Sequence, residues 1–238
     1  MDPLVLTKRE DLRLIDLFNQ EQVATAPGIL NLCLTCGTCA GGCPATGVDG
    51  WDMRKAVRAV LLGLEQELID SKFPWVCTLC GRCEHACPMH IDLVRLIRTA
   101  RWLRPRDKVP GVLHKGVEMC LKTGNNVGIP QEDFLFLMED VGAELAEELP
   151  GFSVPIDKKG AKFLLTINSK EPFGEPEDMK FWWKILSAAN ESWTTTSDNW
   201  EGVNWGLFTG DDEAMKEVVR RIVENYKKLE CEYLLLPE

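Results

Sequence analysis

At 238 residues, with 45% hydrophobic and 27% charged side chains, the chain is long enough for two globular domains and does not have a disordered composition. Its formal charge of −10 argues against electrostatic binding to nucleic acid, which needs a basic face to neutralise phosphates. The longest apolar runs, AVRAVLLGL and YLLL, fall far short of the about eighteen residues of a membrane span, and the amino terminus lacks the apolar core and cleavage site of a signal peptide, so a cytoplasmic location is expected.

In chain order, residues 9–22 place Leu12, Ile15 and Phe18 on one stripe and predict a helix. Residues 33–44, CLTCGTCAGGCP, then follow C-x2-C-x2-C-x3-C-P, and residues 77–88, CTLCGRCEHACP, repeat the spacing. Cysteines this close in a reducing compartment point to metal rather than to disulfides. Three thiolates on one short loop can wrap three corners of a cubane, while the fourth, just before its proline, reaches the other cluster, as in bacterial two-cluster ferredoxins. Two [4Fe–4S] clusters are therefore expected, one held by Cys33, Cys36, Cys39 and Cys87, the other by Cys77, Cys80, Cys83 and Cys43. Gly37, Gly41, Gly42 and Gly81 can adopt positive φ and bring amides toward sulfur. Paired structural zinc sites are the alternative, but zinc ligands usually come as two separated pairs that close one tetrahedron. His85 and His90 flank the second run and read as surface or supporting residues, because all eight ligand places are filled. Cys120 and Cys231 stand alone and read as buried, inert thiols.

Between the runs, Met53, Ala56, Val57, Val60, Leu61, Leu64 and Leu68 step mostly by three and four, which predicts one amphipathic helix. Asp92 is an N-cap candidate for a further helix that carries Val94, Ile97 and Leu103 until Arg104-Pro105 stops it. A helical region around Val117, Met119 and Leu121 precedes a helix over 131–148 with an acidic outer face, and the Pro- and Gly-containing stretch 149–160 reads as a linker. Thereafter strand 162–167, a helix near 176–189, strand 193–196, a helix over about 211–229 and strand 233–236 alternate, the order of a small parallel sheet. The fold class expected is thus a mostly α cluster domain, residues 1–108, a helical connector, 109–160, and an α/β domain, 161–238. Trp182, Trp183, Trp193, Trp200 and Trp205 read as core or partner-packed residues rather than nucleic-acid platforms, since few basic residues interleave with them. No G-x-G-x-x-G or G-x4-G-K-[ST] occurs, so no flavin, NAD or ATP site is expected on the chain.

Residues 33–98 resemble the α-helical ferredoxin part of the heterodisulfide reductase family, which includes its C-type iron–sulfur subunit, the fused D-type subunit and cytoplasmic subunits of membrane redox complexes in sulfate reducers. The resemblance implies an electron-transfer subunit of an anaerobic respiratory or heterodisulfide-reductase-like complex. It implies flavoprotein, haem or quinone-reactive partner subunits, and membrane association only through them. The carboxy-terminal part resembles the family's CCG domain, whose cysteines hold an unusual cluster. There Ser169, Glu201 and Gly202 stand near the places of those cysteines, and hard oxygen donors suit such a cluster poorly, so a degenerate, truncated domain serving as a scaffold is expected, with no catalytic residue. A second implication is that the chain is the front portion of a disulfide-reducing enzyme whose catalytic CCG domain lies past residue 238, with selenocysteine at the apparent stop.

Overall fold

In the computed structural model the described residues are 13–20 and 28–236. The chain divides into two compact units, Met1–His114 with Leu207–Asp211, and Lys115–Gly206 with Asp212–Glu238. In chain order the elements are α1 (Leu14–Phe18), α2 (Thr38–Gly41), α3 (Met53–Leu61), α4 (Glu65–Asp70), α5 (Phe73–Val76), α6 (Arg82–Ala86), α7 (Leu93–Leu103), α8 (Gly111–Thr123) and α9 (Gln131–Glu148). They continue with β1 (Phe163–Leu165), α10 (Lys170–Gly174), α11 (Pro176–Ala188), β2 (Trp193–Thr194), α12 (Trp205–Thr209), α13 (Asp212–Lys228) and β3 (Tyr233–Leu235).

The first unit is built on α3 and α7. Asp52 caps α3 by accepting the Lys55 N–H at 2.8 Å, and Asp92 caps α7 by accepting the Arg95 N–H at 2.9 Å, each satisfying one orphan amide of a first turn. Their apolar stripes, Met53, Ala56, Val57 and Val60 on one and Leu93, Leu96, Ile97 and Ala100 on the other, are buried with Leu14, Phe18, Leu30 and Phe73 in one core. Each large side chain so buried contributes about 1.5–3 kcal/mol of transfer free energy. The single helix expected through Leu68 is instead two. Gly63 takes φ of +74°, its N–H bonds to the Val60 carbonyl at 3.2 Å, and the Leu64 N–H reaches back to Ala59 at 2.7 Å, a Schellman closure that ends α3 before α4 begins. Of the helix expected over 9–22, Leu14–Phe18 is helical with Leu14 and Phe18 buried, whereas Leu12 and residues 21–22 lie outside the described residues.

The segment 207–211 completes this unit against α7. Arg98 donates through Nε to the Leu207 carbonyl at 3.1 Å, and a Cβ added to Gly210, whose φ is +69°, would stand 2.7 Å from the Arg98 carbonyl and 2.8 Å from the Trp102 nitrogen. Both obstacles are backbone, so neither can swing aside. Gly210→Ala is expected to destabilise the protein by about 1–3 kcal/mol, read as a lower midpoint in thermal or denaturant unfolding. A wild-type midpoint would show that the segment does not hold this position.

In the second unit the three strands form one parallel sheet of order β2-β1-β3, with Phe163 opposite both Trp193 and Tyr233. The alternation of strand and helix requires this parallel pairing, because each crossover helix returns the chain to the same end of the sheet. The strand expected over 193–196 is shorter, Trp193–Thr194, with Thr195 adding an isolated bridge to Ile156. Residues 109–160 do not stand apart as a connector. Phe134, Met138, Val141 and Leu145 of α9 share a core with Leu165, Ile167, Trp183, Trp193 and Trp200, so α9 is a layer of this unit. Trp200 stacks on Phe134 at 4.4 Å between ring centroids and Trp183 on Trp193 at 6.2 Å, which makes these tryptophans core residues.

Candidate metal centre

The two cysteine runs fold as repeats of one device. At equivalent places Thr35 and Leu79 have φ of 55° and 57°, and Gly37 and Gly81 have φ of 84° and 76°. Each glycine then serves as the N-cap of a short helix, α2 or α6. Left-handed backbone at a threonine and a leucine costs roughly 1–2 kcal/mol each, and its recurrence in both loops marks a conformation the site demands. The loops touch through Arg82, whose Nη1 donates to the Gly42 carbonyl at 3.2 Å.

Two cavities result. One, of about 370 Å³ including its open mouth, is lined by Cys33, Cys36, Cys39 and Cys87 together with Arg54. The other, of about 380 Å³, is lined by Cys43, Cys77, Cys80 and Cys83 together with Arg82. The fourth cysteine of each run thus lines the cavity of the other. Electrostatics follows the same division. Burial, and then the nearby Cys33, Cys87 and Cys36, push the Cys39 thiol up to about 11. Burial, then Cys77, Glu84 and Cys43, push Cys83 up to about 12. Burial also raises Cys77, although the Leu79 N–H, 3.4 Å from its sulfur, and Arg101 oppose the rise. The rim thiols differ: Cys36 is lowered chiefly by its hydrogen bond with Thr38 and Cys80 by the Arg82 amide, and both are exposed. The raised thiols, Cys39, Cys77 and Cys83, give up their protons more readily to a positive centre, and soft sulfur donors in fours fit an iron–sulfur cluster in each cavity.

Arg101 was not among the residues singled out by motif or spacing. It is 3% exposed, and its guanidinium donates to the carbonyls of Pro74 at 2.8 Å, Cys77 and Phe208 while lying 5.4 Å from the centroid of Trp75. Burial lowers it to about 10. The signal available was its place four residues after Ile97 and eight after Leu93, on the buried stripe of α7, where an arginine must find partners. His85 and His90 are exposed and line neither cavity.

In the second unit Ser169, Glu201 and Cys120, distant in sequence, converge. The bridge Ile167↔Glu201 sets Glu201 beside the end of β1, and the Gly202 N–H bonds to Ile167 at 3.1 Å. Both carboxylate oxygens of Glu201 are used. Oε1 accepts from Ser169 at 2.9 Å and from Trp205 at 3.3 Å, and Oε2 from the Asn126 amide at 2.6 Å and the Cys120 thiol at 3.2 Å. Burial raises the carboxyl, and burial with the adjacent carboxylate raises Cys120 far above the ordinary thiol range. Cys120 is therefore a buried, protonated donor, and Cys231 is buried as well. The Cys120–Glu201 contact carries no message in sequence, since the partners lie on α8 and on the loop after β2.

Residues 29–91 match the family model described as a 4Fe-4S dicluster domain. The chain is 32% identical over 117 residues to the C subunit of the H(2):CoB-CoM heterodisulfide,ferredoxin reductase of Methanothermobacter thermautotrophicus, covering 48% of this chain and 63% of that protein. It is 33% identical to the iron-sulfur C subunit of the CoB--CoM heterodisulfide reductase of Methanopyrus kandleri, covering 49% and 59%. With the iron-sulfur C 2 subunit of the CoB--CoM heterodisulfide reductase of Methanocaldococcus jannaschii it shares 39% identity over 99 residues, covering 41% and 53%. The chain thus spans less than two thirds of the length of these relatives. No described helix is long and apolar enough to cross a membrane. Two cysteine-lined cavities, a dicluster match and a series of relatives of one type lead to one conclusion: this chain is an iron–sulfur protein like the C-type subunit of heterodisulfide reductases.

Proposed function

We propose that the chain is an electron-transfer subunit that holds two [4Fe–4S] clusters, one on Cys33, Cys36, Cys39 and Cys87 and one on Cys77, Cys80, Cys83 and Cys43. The observation that carries this reading is the exchange of fourth cysteines between the two cavities. Such clusters accept and release single electrons. The chain's own residues fix the sulfurs, exclude water with the α3 and α7 core, and leave Cys36 and Cys80 at the surface, where a partner can approach. Relatives named as subunits of heterodisulfide reductases support a place in a multi-subunit redox complex, in which other subunits, flavoprotein, haem or quinone-reactive, supply and remove electrons. The second unit, whose Glu201 site is filled by four internal donors, acts as a scaffold without redox chemistry of its own.

The test is anaerobic purification or reconstitution, followed by iron, sulfide and zinc analysis and electron paramagnetic resonance after reduction with dithionite. Two interacting paramagnetic clusters are expected. Stoichiometric zinc without sulfide, or a single cluster, would overturn the reading.

A further inference from the structure

Building on the two-cluster reading above, we propose that Arg101 sets the reduction potential of the cluster held by Cys77, Cys80, Cys83 and Cys43, as a positioning residue that keeps a buried positive charge on the Cys77 carbonyl. The guanidinium is fixed by three carbonyl acceptors, those of Pro74, Cys77 and Phe208, and by the Trp75 ring. Among the described residues no carboxylate pairs with it, so its charge is not cancelled locally. Reducing a cluster adds one negative charge. A cation held nearby in a medium of low dielectric stabilises that added charge and raises the potential, and hydrogen bonds and burial around the ligands are further levers on it.

Among the described residues the first cavity is lined by an arginine of a different kind. Its lining arginine, Arg54, is an exposed residue whose charge water and salt screen, whereas Arg101 is 3% exposed. The effect should therefore fall on one cluster and spare the other. Arginine suits this place because its planar fork reaches several carbonyls at once, and lysine would deliver the same charge with fewer fixed bonds. Arg101 also binds residues at two remote points of the chain, the Cys77 loop and the Phe208 carbonyl of the segment 207–211, so the potential depends on that segment's keeping its place.

The experiment is a potentiometric titration of the full chain followed by electron paramagnetic resonance, in wild type, Arg101→Met and Arg101→Lys. The cluster whose signal changes in Cys80→Ser identifies the second cluster. Arg101→Met should lower the potential of that cluster and leave the first where it was, which serves as the internal control, and Arg101→Lys should shift it less. Unchanged potentials, or equal shifts of both clusters, would overturn the proposal. If Arg101→Met yields no second cluster, Arg101→Gln, which removes the charge and keeps a hydrogen-bond donor for the carbonyls, decides: a lowered second potential beside an unchanged first supports the role, and wild-type values refute it. A wild-type chain with fewer than two clusters would refute the two-cluster reading itself, before Arg101 is touched.

Discussion

Exchanging Cys87 for serine is expected to remove the cluster of the first run, Cys33, Cys36 and Cys39, and to spare the cluster of the run in which Cys87 itself lies. Cys87 lines the first cavity, and its charge acts on Cys39. Cys43 does the reverse, lining the second cavity and acting on Cys77 and Cys83. A serine hydroxyl is a harder and less acidic donor than a thiol, so the corner it occupies binds iron poorly. In Cys87→Ser roughly half of the bound iron should be lost, with the spin–spin interaction between clusters abolished, since one [4Fe–4S] centre of two disappears. In Cys43→Ser the complementary cluster should go. Loss of the second cluster in Cys87→Ser would mean that each run fills its own site, and the exchange of fourth ligands would be wrong.

What sequence could show of this centre follows from how local the constraint is. Eight cysteines at fixed spacing carry their chemistry within a dozen residues each, and the caps Asp52 and Asp92 act within one helical turn, so both are written in short windows. Helix α9 occupies the range its periodicity implies, residues 131–148. Gly63 sits inside an otherwise regular stripe, and its power to end α3 comes from a left-handed closure that the stripe of apolar residues hides. Arg101 and Glu201 could not be read in the same way, since their partners stand between 24 and 107 residues away for Arg101 and between 4 and 81 away for Glu201. A buried charge is legible only when its partners are, and those are set by packing. The placement of α9 in the second unit follows the same rule: its apolar stripe declares that it packs on something, and the sheet and tryptophans that cover it are fixed only by the fold.

The largest stability effect in the second unit should come from Glu201. Glu201→Ala removes at once the acceptor of the Cys120 thiol, the Asn126 amide and the Trp205 N–H, while the Ser169 hydroxyl keeps Asn126 Oδ1 as an acceptor. A buried unsatisfied donor costs about 1–3 kcal/mol, and breaking a buried network around a charge costs about 3–5 kcal/mol in all, which is the loss expected in denaturant unfolding. Glu201→Gln separates the contributions. Its amide oxygen can serve the Asn126 backbone N–H, which cannot turn, and its NH2 can donate to the Ser169 hydroxyl, but it then meets the Trp205 N–H as donor against donor. One unsatisfied group should cost about 1–3 kcal/mol, less than alanine. The pH dependence distinguishes the two further. Burial, the largest influence, raises the folded carboxyl above its ordinary 4.5, so its contribution to stability is fully present below that value and falls as pH rises through the folded value. The amide does not titrate. The stability gap between wild type and Glu201→Gln should therefore narrow as pH rises above about 4.5, and a gap that widened instead would show that the four donors, not burial, govern the carboxylate.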